Sequence, residues 1–147
     1  MTRAPLPPRL LAVVAPVCIV GTVVFAAGAA AFFADGHSAT TYVGIVALTL
    51  ASAIAQRYPV PVESVDMRGV DLGFVFGLAG VVLFGWSAGA LIAAVSQTIA
   101  GVWQKHSPLR VSYNASVFGL AAALAGVLIA PLHSADAGEL VAQIGIS

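Results

Sequence analysis

Charge is what this sequence has least of. Only 8% of its 147 residues are Asp, Glu, Lys or Arg, whereas 60% are hydrophobic. A soluble domain carries roughly 25% charged residues. A water-exposed globular surface is therefore excluded, and the chain is expected to be an all-α integral membrane protein. Six basic and six acidic residues cancel, so no net field attracts nucleic acid and none is expected as a partner. The single cysteine, Cys18, excludes an intrachain disulfide and reads as a small buried hydrophobe. Walker, HExxH, GxSxG and CxxC patterns are all absent. No catalytic residue, cofactor or metal is assigned, and the chain is not expected to be an enzyme.

Long apolar runs are abundant. After a proline-rich cytoplasmic leader, residues 1–9, the run Leu10 to Phe33 contains no charge in 24 residues. It is long enough for a hydrocarbon core of roughly 30 Å and exceeds the roughly 7–15 apolar residues of a signal peptide. Pro16 lies within it and is expected to kink it. Four further runs follow, and the expected spans are 10–33, 41–58, 70–86, 88–103 and 111–131. Tyr42 and Tyr58 bracket the second, and Trp86 and Trp103 the fourth, as interfacial aromatics do. The third and fourth are joined at Gly85-Trp86-Ser87, too short a turn for anything but antiparallel neighbours.

Placing successive loops on alternating sides puts Arg3, Arg9, Arg57, Arg68, Lys105 and Arg110 all on one side. The positive-inside rule makes that side cytoplasmic. The expectation is a bundle in a bacterial cytoplasmic membrane, with five spans and the N-terminus inside. Residues 133–147 are then an external tail, or the first turns of a sixth helix in a truncated six-helix bundle, since LVAQIGIS turns apolar again.

Few polar residues lie at membrane depth. Gln97, with its neighbours Ser96 and Thr98, forms the most polar cluster, and Asn114 opens the fifth run. An amide in hydrocarbon needs a hydrogen-bond partner, so these are the candidate interhelical or ligand positions. Gly73, Gly77, Gly80, Gly85 and Gly89 have the small-residue spacing that lets helices approach closely, within the chain or in a homodimer. On the fourth run Ala90, Ala93, Gln97 and Gly101 make one small-and-polar stripe. On the fifth, Asn114, Val117, Ala121 and Ala125 are expected to face inward. No span has a central Asp, Glu, Lys or Arg, which counts against ion-coupled transport. Asp35 with His37, and His133 with Asp136, occupy the opposite loops as solvated residues without metal-ligand spacing.

One stretch of roughly 54–132 has a familiar order of parts. A helix runs into Arg57-Tyr58-Pro59-Val60, a charged loop leads to VDLGFVFGLAG, a tight turn falls at FGWSAG, and a basic loop with Pro108 precedes Tyr113-Asn114. This resembles the MASE-type multi-spanning sensor modules found ahead of HD-type phosphohydrolase and GGDEF diguanylate cyclase domains in bacterial signalling proteins. The resemblance implies six helices with both ends in the cytoplasm, and a cytoplasmic output domain or partner to which a signal is relayed. The alternatives are the substrate-binding membrane component of a small-molecule uptake system, and a small structural membrane protein.

Overall fold

The structure, a computed structural model, describes residues 8–58 and 73–134, with side chains for 10–58 and 73–130. These residues form five α-helices and no strand: α1 Pro8–Ala34, α2 Ala39–Arg57, α3 Gly73–Phe84, α4 Trp86–Trp103 and α5 Pro108–Ser134. Four of them are long and apolar enough to cross a membrane, which fits an all-α membrane protein. The described part of α3 is a shorter apolar helix of 12 residues. Arg3, Arg68, the leader before residue 8, the start of the third span at 70 and the tail from 135 lie outside the described residues, as does Asp136.

The helix ends follow local chemistry. α1 runs unbroken through Pro16. At the start of α2, Ser38 caps the helix by accepting from the Thr41 N–H at 3.3 Å. The α3–α4 turn is tighter than the expected Gly85-Trp86-Ser87. Gly85 alone is non-helical, at φ 88°, a conformation that disfavours any residue with a Cβ, and Trp86 and Ser87 already belong to α4. α4 ends in a Schellman pattern, with the His106 N–H bonded to the Gly101 carbonyl at 2.9 Å and the Lys105 N–H to that of Val102 at 3.0 Å. Lys105 holds the left-handed position, φ 55°, where glycine is usual. α5 begins at Pro108, a favoured first-turn residue, so Arg110 belongs to a helix rather than to the loop.

α4 is the centre of the bundle and packs against all four other helices. Eleven of its 18 residues are buried, Ala90, Ala93, Gln97 and Gly101 among them. Small residues set the spacing. A Cβ on Gly80 would strike Ile92, one on Gly89 the Val81 backbone, and one on Gly77 would press on Ala93. α3 and α4 therefore interlock through Gly77, Gly80 and Gly89. Gly85 takes no part, since nothing lies within 4 Å of where its Cβ would be. Val81, Ala93 and Ala122 form the apolar core where α3, α4 and α5 meet, with Phe118 and Ile129 against it.

α5 is rotated from the expected face. Its buried residues are Ser116, Gly119, Ala122, Ala123 and Gly126, while Val117 is exposed and Asn114, Ala121 and Ala125 are half-buried. Close approaches decide this. Ser116 fills the space over Gly21 of α1, Gly119 meets Ala94, and Gly126 meets Trp86. The Gly28–Trp86 contact then makes α1 parallel to α5 and antiparallel to α4. With these directions Arg9, Arg57, Lys105 and Arg110 fall at one end of the bundle, and Asp35 and Gly85 at the other.

Candidate functional site

α2 turns its polar side inward. Thr49, Ser52 and Ala53 are its buried residues. Thr49, Ser52 and Gln56 recur at intervals of three and four, so they share one helix face. Thr49 bonds its own helix, donating to the Ile45 carbonyl at 2.7 Å. Ser52 reaches out of it. Its Oγ lies 3.0 Å from the Gly73 carbonyl oxygen and 3.0 Å from Ser96 Oγ, so one proton serves two acceptors. Gln56 Nε2 donates to Ser52 Oγ at 3.1 Å and to Ser96 Oγ at 3.3 Å. Ser96 in turn donates to the Ala93 carbonyl at 3.1 Å.

The result is a hydrogen-bonded seam linking α2, the first residue of α3 and α4. Ser52 and Ser96 are fully buried within it, at 0% and 1% exposure. Gln104, just past α4, extends it by donating Nε2 to the Gln56 carbonyl at 3.2 Å. The Gln56 side chain lies where a Cβ on Gly73 would sit, so glycine at the head of α3 makes room for the amide. The seam occupies the end of the bundle that carries the basic residues.

Gln97 stands apart. It is 6% exposed, and its Nε2 is buried with no hydrogen-bond partner among the described residues. On α4 it lies between Ala93, which packs on α3, and the Ala94–Gly101 face, which meets α5. A buried unpaired donor costs about 1–3 kcal/mol. The four polar candidates thus separate. Ser96 makes the interhelical bonds, Gln97 is buried and unfilled, Thr98 is exposed and donates back to the Ala94 carbonyl at 2.8 Å, and Asn114 is half-buried on α5. The structure does not gather them into one cluster.

Ser52 and Gln56 were missed by sequence reasoning. Their signal was the three-and-four spacing with Thr49 inside an otherwise apolar run. At the opposite end His37 stacks on Phe32, with ring centroids 4.2 Å apart, and Tyr42 meets Phe32 edge-on. This aromatic knot packs the α1–α2 corner. The His133 side chain lies outside the described side chains. Arg57 lies over the Tyr58 ring at 5.5 Å, an exposed pair at the end of α2.

Comparison with protein-family models, with curated proteins and with solved structures finds no match to this chain. What the site can do therefore rests on its own residues.

Proposed function

We propose that this chain is a membrane-embedded sensory input module. It spans the bacterial cytoplasmic membrane with its N-terminus inside, and it relays a conformational change to a cytoplasmic output domain or partner. The observation that carries this reading is the unfilled Gln97 amide beside a satisfied Ser52–Ser96–Gln56 seam. A polar group that lacks a partner in one arrangement gains by any small shift of α4 that supplies one. The seam and Gln97 both sit on α4, which touches every other helix, so such a shift reaches the whole bundle. Packed interfaces of this kind switch between discrete arrangements rather than bending smoothly. The clustered basic residues support the cytoplasmic assignment of the seam's end, and the MASE-type resemblance supports a signalling output there.

Two measurements test it. In a chimera with the chain fused ahead of a diguanylate cyclase domain, Gln97→Leu and Ser96→Ala are expected to change cyclic dinucleotide output at unchanged membrane level. Unchanged output in both variants would end the sensory reading. For orientation, single cysteines at Ser38 and Ser64 are labelled in intact cells, with Cys18 replaced. Ser38→Cys should react with an impermeant reagent and Ser64→Cys should not. The reverse pattern overturns the orientation.

A further inference from the structure

α1 and α2 are consecutive helices joined by the short loop 35–38, yet along their length they do not pack on each other. What ties them is the aromatic knot at the corner. The His37 ring lies flat on Phe32, with an interplanar angle of 17°, and the Tyr42 ring meets Phe32 edge-on at 5.5 Å. Phe32 is 2% exposed beneath them. Away from the corner the two helices part, and a groove of about 570 Å³ opens between them over α4. Phe32 and Tyr42 line that groove as well, so the knot forms its closed end.

The knot suits a neutral histidine and not a charged one. His37 is half-buried, and its Nδ1 is buried with no hydrogen-bond partner among the described residues. A neutral imidazole tolerates this, because Nε2 holds its one proton and Nδ1 stays bare. The imidazolium carries a proton on each nitrogen. Charging His37 therefore places an N–H at Nδ1, where no described acceptor meets it. Ser38 Oγ is engaged with the Thr41 N–H and hydroxyl. The other titratable side chains described at this corner are Asp35, exposed on the same loop, and Tyr42 on α2, and neither bonds Nδ1. Asp35 is the only charged side chain described at this end of the bundle, and α1 presents Phe32 to the ring.

Two further effects bear on the sign. An imidazolium over the Phe32 face gains a cation–π contact, but one such contact returns less than burying a charged N–H without an acceptor costs. His37 also stands between the C-terminal end of α1 and the N-terminal end of α2, whose partial charges act on it in opposite senses. We propose that His37 is a proton-operated latch on this corner. Neutral, it holds the end of α1 to the start of α2 and closes the groove there. Protonated, the ring leaves Phe32 for water, the corner loosens and the groove opens at that end. α1 and α2 each stay packed on α4, so the opening is confined to the corner. The latch does not depend on the sensory reading, for which it supplies a stimulus.

The test is a distance between spin labels at Ala30→Cys and Val43→Cys, exposed positions on α1 and α2. The chain is intact, with Cys18 replaced by alanine, in a neutral detergent. Pulsed electron resonance reads the distance at about pH 8 and about pH 5, across the range in which imidazole changes charge. Acid is expected to lengthen and broaden the native distance. His37→Phe keeps a ring for Phe32 but takes no proton, and should hold the short distance at both pH values. His37→Ala should give the long distance at both, and Asp35→Asn should respond as the native chain does. A native distance unmoved by acid would overturn the proposal. So would a response that survives in His37→Phe, which assigns it to His106, His133 or a carboxylate, or one that is lost in Asp35→Asn. A short distance in His37→Ala at the higher pH would also overturn it, because the stack would then not hold the corner. If the labels move with acid while the cyclase chimera's output does not, the latch stands and the sensory reading fails, so the two are told apart.

Discussion

α1 and α4 are both apolar helices, but the bundle treats them as opposites. α1 is rich in Val, Leu, Ile and Phe, yet among its described side chains only Val14, Gly21, Gly28 and Phe32 are buried. The first three fall seven apart, a single narrow seam. α4 is the less apolar helix, and of its eleven buried residues all but Ile92 are Ala, Gly, Ser or Gln. In water the greasier helix would be the inner one. In a bilayer the surrounding chains are as apolar as leucine, so hydrophobicity does not sort helices between outside and inside. Small size and hydrogen-bonding need do the sorting instead. Small residues let backbones approach, and polar groups must find partners away from lipid.

The strongest way to break this contrast is to deny α4 its close approach. Gly89→Leu places a side chain against the Val81 backbone, where even a Cβ would lie 2.8 Å from the backbone nitrogen. No rotamer relieves a clash with backbone. A loss of about 3 kcal/mol is expected, read as a lower unfolding midpoint in mixed detergent or as failure to recover monodisperse protein. A Gly89→Leu variant as stable as the native chain would mean that α3 and α4 do not interlock as described.

Next in size is the polar seam. Ser52→Ala removes an acceptor from Gln56 and a donor from the Gly73 carbonyl and Ser96. The expected loss is about 1–2 kcal/mol, because the seam loses the hydroxyl through which Gln56, Ser96 and the Gly73 carbonyl are joined. Gln97→Leu is expected to act in the other direction. It replaces an unpartnered buried amide with an apolar side chain of similar length, and should leave stability unchanged or raise it by about 1 kcal/mol. Removing two polar groups at nearly the same depth would then shift the unfolding midpoint in opposite senses. Equal losses in the two variants would show that Gln97 has a bonding partner after all.

The sequence carried the helices better than their faces. Uninterrupted apolar runs and the Trp86 and Trp103 boundaries placed α4 within a residue or two, because length and charge exclusion leave little freedom in a hydrocarbon layer. The inward stripe of α4 was also legible, since Ala90, Ala93 and Gly101 flank the only amide in the run. On α5 the stripe through Asn114 and Val117 was misplaced. That helix offers small residues on several sides, and only three-dimensional neighbours select among them: Gly21 under Ser116, and Trp86 against Gly126. Ser52 and Gln56 went unread for a related reason. A serine and a glutamine near the end of an apolar run look interfacial until Ser96, 44 residues further along the chain, is seen to lie against Ser52.

The smallest effect sharpens the contrast most. Val81 and Val23 are the same residue on two helices, one 2% exposed in the core and the other 62% exposed on α1. Truncating Val81 to alanine opens a space that the packed neighbours Ala93 and Ala122 cannot collapse to fill. It should cost on the order of 1–2 kcal/mol. Truncating Val23 removes the same two methyl groups toward lipid, whose mobile chains close over the gap. No cavity forms, and alanine is the better helix former by roughly half a kcal/mol. Val23→Ala should therefore leave the unfolding midpoint where it was or raise it slightly. If it destabilises as much as Val81→Ala, the outer face of α1 is covered by protein rather than by lipid, and the contrast between the two helices fails at its outer end.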